Sequence, residues 1–241
     1  MTNSLEFAKL TRPKTPMSRL RNIASNTIVQ LIGRAIGTAF GVATVAVITR
    51  ALGTDGYGQF TLALTFLAVA GALADFGFTL TTTQMLSEEE TDDNKVISTA
   101  FSMRILSGIL FFGLAVIASL FTNYDPIVKL SIIVGAFSFF FMTSGQMLVG
   151  VYQKNLAMWR PAVAEATSRG LILAFVIVLA MQGQGAAHMM GAFAVGNLFM
   201  LLINLAFTRR FVTLRFSIDR DLARTFLVRS WPLAISIFFN L

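Results

Sequence analysis

The sequence contains no cysteine and only one histidine, His188, and only 13% of its residues are charged. The absence of cysteine excludes disulfides and thiolate metal sites, and one histidine is too few for a histidine-based metal site or charge relay. The sequence also has no phosphate-binding loop, nucleophile–base arrangement or nucleotide fingerprint. It therefore predicts no catalytic residues, no metal and no cofactor, and it does not indicate an enzyme.

Polar residues are too scarce to cover a soluble domain of this length. Soluble domains carry about a quarter charged residues, whereas this chain is 55% hydrophobic and its mean hydropathy is +0.71. Its 18 glycines fit the same picture, because membrane helices use small residues where their backbones approach. The predicted fold class is all-α, a polytopic integral membrane protein.

Apolar runs of roughly 20 residues divide the chain into predicted membrane spans. They indicate a six-helix transmembrane bundle followed by the start of a seventh helix. The predicted segments are a basic tail at 1–21, the six-helix lobe at 22–208, a basic linker at 209–229 and the seventh helix at 230–241. Ten apolar residues cannot cross a bilayer, so the seventh helix is expected to be truncated.

Two basic segments, the tail and the linker, lie outside the predicted spans. The tail is predicted to be disordered, and its charges are also able to rest on anionic lipid headgroups. In the linker, apolar residues at helical spacing predict an amphipathic helix lying flat on the membrane. They are Phe211, Leu214, Ile218, Leu222 and Phe226.

The positive charges predict the orientation of the bundle. With six spans, fifteen of the nineteen Lys and Arg residues fall on the side that holds the amino terminus, and two fall on the other side. The protein is expected in the cytoplasmic (inner) membrane. The positive-inside rule then predicts that its amino terminus lies in the cytoplasm. This distribution also accounts for the net charge of +7 as topology, so nucleic acid is not expected as a partner.

Two neighbouring stripes run along the first predicted span. Gly33, Gly37 and Gly41 recur every fourth residue and predict a face for close helix packing. The adjacent stripe is polar and consists of Asn26, Gln30, Arg34 and Thr38. Because residues four apart share a helix face, one side is expected to pack and the other to face water or substrate.

Two later spans contain charges, Asp75 in the second and Arg104 in the third. A charge within a membrane helix is costly unless it has a partner. At about 1.5 Å per residue, Arg34, Asp75 and Arg104 are all expected about 12–16 Å from the cytoplasmic edge. This predicts a shared polar cavity in which Asp75 pairs with Arg104.

Arg34 then remains an unpaired cation whose planar guanidinium fork suits phosphate. The predicted substrate-binding residues are Arg34, Asp75, Arg104, Gln30 and Asn26. The alternative is that Arg104 extends to the headgroups and Asp75 meets only water.

Further along the chain, Glu165 and Arg169 are four residues apart, which predicts a structural ion pair on an exposed helix face. His188 is expected at a helix end near the membrane interface rather than in proton transfer. The acidic segment at 87–95 is expected to be a solvated loop.

The corner between the first two spans carries a recognisable set of residues. They are Arg50, Leu52, Gly53, Tyr57, Gly58 and Phe60, followed by Asp75-Phe76-Gly77 in the second span. With the basic linker and Ser230-Trp231-Pro232, this pattern resembles the Wzx-type oligosaccharide flippases over about residues 20–241. These are the polysaccharide-biosynthesis branch of the multidrug/oligosaccharidyl-lipid/polysaccharide flippase superfamily.

The resemblance implies two six-helix lobes around a cationic cavity, of which this chain would be the amino-terminal lobe. It implies the movement of undecaprenyl-diphosphate-linked oligosaccharide between leaflets by alternating access, with Arg34, and then Arg104, at the diphosphate. The implied partners are lipid-linked oligosaccharide, membrane lipids, a second six-helix lobe and a glycan polymerase or glycosyltransferases. Two alternatives stay open: a drug–cation antiporter of the same superfamily, and a non-transporting membrane scaffold for polysaccharide synthesis.

Overall fold

A computed structural model describes residues 16–88 and 92–239, with side-chain surroundings for 27–28, 30–88 and 92–232. The described residues form helices and connections without a strand. The helices are α1 Pro16–Asp75, α2 Phe78–Ser87, α3 Asp93–Leu120, α4 Pro126–Met147, α5 Val149–Lys154, α6 Trp159–Met181, α7 Ala186–Thr208 and α8 Arg220–Phe239. Most of the predicted basic tail and the side chain of Asn26 lie outside this description.

Helix α1 consists of two limbs that meet at Gly53. Gly53 has φ 66° and ψ −171°, a left-handed φ that glycine adopts without the steric cost of a side chain. The first limb is residues 16–52 and the second limb is residues 54–75. The first limb runs parallel to α6, since Gly33 lies at Ala162 and Gly41 at Arg169, and α6 begins near the end of the bundle where Lys154 pairs with Asp93. The second limb runs back towards that end, because Gln59 donates to Asp125 in the α3–α4 turn (Nε2 to Oδ2, 3.4 Å), whereas Asp75 contacts the first half of α3.

Among the residues that the structure describes, five helical segments are long and apolar enough to cross a membrane. They are Gln30–Ser87, Asp93–Leu120, Pro126–Lys154, Trp159–Met181 and Ala186–Thr208. The first has 58 residues, roughly 87 Å of helix, against a hydrocarbon core of about 30 Å. Because this segment bends at Gly53, it is long enough for two crossings. With the four other segments it corresponds to the six predicted spans. The prediction of an all-α polytopic membrane protein is confirmed.

A second break interrupts the return crossing between α1 and α2. Phe76 (φ 43°) and Gly77 (φ 76°) both have left-handed backbone conformations, which a residue with a side chain adopts only at a cost. The freed carbonyl of Ala74 accepts a hydrogen bond from Ser107 Oγ on α3 at 2.5 Å. The break therefore replaces a hydrogen bond within one helix by a hydrogen bond between two helices.

The apolar core has two clusters, one on each side of this break. The first includes Phe60, Leu67, Ala74 and Phe112, and the second includes Phe78, Ala100, Met147 and Phe226. Asp75 lies between the two clusters where α1 ends and α2 follows. Arg104 lies between the same two clusters on α3. A thin polar layer thus separates two apolar regions.

The linker differs from the prediction. Residues 212–219, which we call the strap, are not helical and run along α3. Backbone N–H groups of Thr213, Arg215 and Ser217 donate to side chains of α3, namely Asn94 Oδ1 (2.7 Å), Ser98 Oγ (3.1 Å) and Ser102 Oγ (3.1 Å).

Because these side chains satisfy the backbone of the strap, it has no need of helical hydrogen bonds. The prediction of an amphipathic helix is wrong for 211–219. Helix α8 begins at Arg220, ten residues before Ser230, and includes Leu222 and Phe226.

Candidate functional site

The glycine seam of the first limb forms the close helix packing that its spacing predicts, and its partner is α6. A Cβ atom on Gly33 would lie 2.8 Å from Cβ of Ala162, and one on Gly37 would lie 3.1 Å from Cδ of Arg169. At Gly41 the nearest atom would be Nη1 of Arg169, also at 3.1 Å. A side chain at Gly33 would therefore clash with α6, and side chains at Gly37 and Gly41 would crowd Arg169.

The polar stripe lies beside this seam, and its described members do not pack against another helix. Gln30, Arg34 and Thr38 are all exposed. Among the residues that the structure describes, Arg34 makes no hydrogen bond and no ion pair. A cation in an apolar helix that meets no counter-charge within the described ranges is a group available to an anionic ligand.

Asp75 and Arg104 form the ion pair that the sequence predicts. Arg104 Nη1 lies 3.0 Å from Asp75 Oδ1, and the Arg104 side chain is 2% exposed. Thr79 Oγ1 also donates to Asp75 Oδ1, at 2.6 Å. The pairing of these two residues is confirmed, and the alternative in which Arg104 extends to the headgroups is wrong.

A buried pair of this kind acts chiefly on structure. Asp75 ends α1 and Arg104 belongs to α3, so their contact joins two crossings at the level of the break. The remaining exposure of Asp75 is 24%, and Arg104 is closed off from solvent. In this conformation Arg104 is not accessible to a large ligand.

A polar cavity of about 180 Å³ lies elsewhere, between α4, α6 and α7. Its polar lining consists of Gln146, Glu165, Ser168, Arg169, Asn197 and Asn204. Glu165 and Arg169 form an ion pair at 3.0 Å and are each 43% exposed, whereas Ser168 and Asn204 are almost fully buried. The cavity therefore opens beside the ion pair, next to the glycine seam of α1.

Hydrogen bonds fix some of the cavity's polar side chains and leave others with free capacity. Asn197 Nδ2 donates to Ser138 Oγ at 2.9 Å, and Ser168 Oγ donates to Asn197 Oδ1 at 3.5 Å. Asn204 is 2% exposed, and its Oδ1 atom has no hydrogen-bond partner among the described residues. A buried acceptor without a partner is uncommon, and a hydrogen-bond donor on a ligand would satisfy it.

The predicted site residues therefore divide into two groups. Asp75 and Arg104 are in contact, while Arg34 and Gln30 lie on the exposed face of the first limb and contact neither of them. Of these four, none lines the cavity between α4, α6 and α7. Asn26 lies outside the described side chains, and the role of all five in substrate binding stays a prediction.

The cavity residues were not singled out from the sequence, although a signal was present. The Glu165–Arg169 pair is confirmed, but it lines the mouth of a cavity and contacts α1. Asn197 and Asn204 are seven residues apart, two turns along one face of an otherwise apolar span. Carboxamides on one face of a membrane helix indicate a polar interior, and that pattern would have identified α7 as a lining helix.

Comparison with solved structures agrees with this architecture. The chain superposes on a MOP superfamily transporter from Pyrococcus furiosus, whose binding pocket is described as one of reverse polarity, with a TM-score of 0.70 and 16% identity. The match covers 90% of this chain and 52% of that transporter, so the chain spans about half its length. At this identity the likeness concerns the fold alone. No curated protein sequence matches the chain.

A family model described as "Polysaccharide biosynthesis protein" matches residues 20–241. This range includes the corner motif at Gly53, the ion pair of Asp75 and Arg104, the cavity and the strap. The chain belongs to the polysaccharide biosynthesis protein family.

Proposed function

We propose that this chain is one lobe of a flippase that moves undecaprenyl-diphosphate-linked oligosaccharide across the cytoplasmic membrane by alternating access. The family match over residues 20–241 supports the substrate class. The match to about half of a MOP superfamily transporter supports a lobe that works with a second one, from further sequence or from another chain. A glycan polymerase or glycosyltransferases would act before or after it.

One observation carries the proposal for the substrate head: Arg34 is exposed on an apolar limb without a partner among the described residues. A diphosphate is a compact dianion that accepts the two parallel hydrogen bonds of a guanidinium. Arg104 is the weaker candidate, because it is buried and paired with Asp75. In our proposal Arg34 contacts the diphosphate, and the buried pair holds the helices that frame the pathway.

The proposed orientation follows from the basic segments. The strap, the α5–α6 connection and the α2–α3 connection lie at one end of the bundle, where Lys154 pairs with Asp93 and Arg229 pairs with Glu88. We place this end, and the amino terminus, in the cytoplasm. Since the chain has no cysteine, single cysteines at Ser87 and Thr54 are uniquely labelled, and an impermeant maleimide should label only the second in intact cells.

The test of the function is export of lipid-linked glycan in cells that depend on this protein. Arg34→Gln should abolish export at an unchanged membrane level, and Arg34→Lys should restore it only in part, because an ammonium does not reproduce the planar fork. Arg210→Gln, which removes an exposed arginine at the end of α7, is the control and should export normally. Normal export by Arg34→Gln would contradict the proposal.

The same assay separates the antiporter alternative. A drug–cation antiporter would move a cationic dye, and loss of a positive charge at Arg34 would leave that transport intact or increase it. No observation on the described residues favours that function over flipping of an anionic lipid.

A further inference from the structure

The cavity between α4, α6 and α7 is polar, but its lining is electrically balanced. Glu165 supplies one negative charge and Arg169 one positive charge, and they neutralise each other at 3.0 Å. The other polar groups that line it are carboxamides and a hydroxyl. An additional ion bound in the inner part of the cavity, beside the almost fully buried Ser168 and Asn204, would leave an unbalanced charge away from water, which is costly. The lining therefore favours an uncharged ligand.

The hydrogen-bonding capacity of the lining is suited to hydroxyl groups. Asn204 Oδ1 is buried and lacks a donor among the described residues, and Gln146 is exposed to the cavity with both donor and acceptor atoms. The Glu165 carboxylate accepts and the Arg169 guanidinium donates. A ring that carries several hydroxyls offers both functions at each oxygen, so it is able to satisfy all of these groups at once.

The size of the cavity limits how much of such a ligand enters. Drug-sized ligands occupy pockets of roughly 300–1,000 Å³, whereas this cavity measures about 180 Å³. One pyranose ring is of suitable size, and an oligosaccharide is not. The apolar part of the lining, which includes Ile172, Phe193 and Met200, would face the C–H surface of the ring.

The position of the cavity relates it to Arg34. The ion pair at its mouth lies against Gly37, one helical turn after Arg34 on the same limb. Arg34 and the mouth of the cavity are therefore about one helical turn apart along the first limb. In a glycan linked through a diphosphate, the first sugar is bonded directly to the diphosphate and therefore lies next to that charged group.

We propose that the cavity lined by Gln146, Glu165, Arg169, Asn197 and Asn204 binds one uncharged sugar ring, the first sugar of the lipid-linked glycan. This inference rests on the proposed function, and it adds a contact that recognises the sugar rather than the diphosphate. The carboxamides and the ion pair then determine which first sugar the lobe accepts, while Arg34 contacts the part common to all substrates of the class.

The experiment measures thermal unfolding of the full chain in nanodiscs of phosphatidylethanolamine and phosphatidylglycerol. The probes are glucose, galactose, N-acetylglucosamine and N-acetylgalactosamine, each titrated separately. At least one should raise the unfolding temperature in a saturable manner. Asn204→Leu should weaken its apparent affinity about tenfold, the factor that one hydrogen bond of about 1.4 kcal/mol supplies.

Two further variants keep the result interpretable. Gln146→Ala removes an exposed lining group without disturbing a buried hydrogen bond, and it should also weaken the sugar effect even if Asn204→Leu folds poorly. Ser144→Ala is the matched control, because its hydroxyl is buried and without a partner among the described residues but does not line the cavity. It should bind the sugar as the parent does.

Three outcomes would overturn the inference. The first is that none of the four sugars stabilises the parent more than Asn204→Leu, as expected if only water fills the cavity. The second is a shift specific to sodium over choline that Asn204→Leu abolishes, which would indicate a cation site. The third is a corresponding shift with potassium phosphate. Arg34→Gln should retain the sugar effect while losing export, so failure here is distinguishable from failure of the proposed function.

Discussion

The described membrane-spanning helices hold two arginine–carboxylate pairs, and the surroundings of these pairs differ. The Asp75–Arg104 pair joins α1 to α3, and its arginine is 2% exposed. The Glu165–Arg169 pair lies within one turn of α6, and both of its members are 43% exposed at the mouth of a cavity. The interatomic distance is 3.0 Å in both pairs, so the difference lies in burial and in connectivity.

This difference determines what each pair does for the protein. When one partner of a buried pair is removed, an uncompensated charge is left where water is not available, and the cost is about 3–5 kcal/mol. A pair in contact with water contributes about 1 kcal/mol or less. The first pair therefore stabilises the helix arrangement, while the second is free to exchange its hydrogen bonds with a ligand.

The largest effect is expected at the buried pair. Arg104→Met should lower the free energy of unfolding by about 3–5 kcal/mol, because it leaves Asp75 without its counter-charge. Denaturation in mixed detergent micelles, followed by circular dichroism, measures this. Adding Asp75→Leu to Arg104→Met should recover most of the loss, since both charges are then absent. A loss below about 1 kcal/mol for Arg104→Met would contradict the burial of this pair.

An intermediate effect is expected where α6 and α7 cross beside the second pair. A Cβ atom on Gly196 would lie 2.3 Å from Cγ1 of Ile172 and 3.0 Å from the carbonyl oxygen of Ser168. Gly196→Ala should therefore cost about 1–3 kcal/mol through overpacking. Gly191→Ala, on the same helix with open space around it, is the control. Equal stability of these two variants would show that the crossing is looser than described.

The smallest effect is expected at the exposed pair. Glu165→Gln should change the free energy of unfolding by about 1 kcal/mol or less, because water at the mouth of the cavity solvates the remaining Arg169. The same denaturation experiment applies. A loss as large as that of Arg104→Met would mean that the two pairs are equivalent, and the comparison would fail.

Much of the fold could be predicted from the sequence, because the length and hydropathy of a segment identify a membrane helix. The turn at Gly53 and a glycine seam for close helix packing follow from local composition and from spacing of four residues, whereas the partner helix α6 does not. The pairing of Asp75 with Arg104 followed from the scarcity of charge, since few counter-charges were available to a buried carboxylate.

Features that depend on contacts between distant segments could not be predicted in this way. The helical spacing in the linker did not predict the extended strap, because the side chains of α3 that satisfy its backbone are more than one hundred residues away in sequence. The cavity was missed for a related reason. Spacing reveals that Asn197 and Asn204 share a face, but only the packing of α4, α6 and α7 brings that face to Glu165 and Arg169.

The most direct test of the account compares export by Arg34→Gln with export by the double variant Asp75→Leu/Arg104→Met, at matched amounts of folded protein in the membrane. We predict that Arg34→Gln loses export and that the double variant retains it, because the free cation contacts the substrate and the buried pair supports the structure. Loss of export in the double variant together with normal export by Arg34→Gln would contradict this assignment.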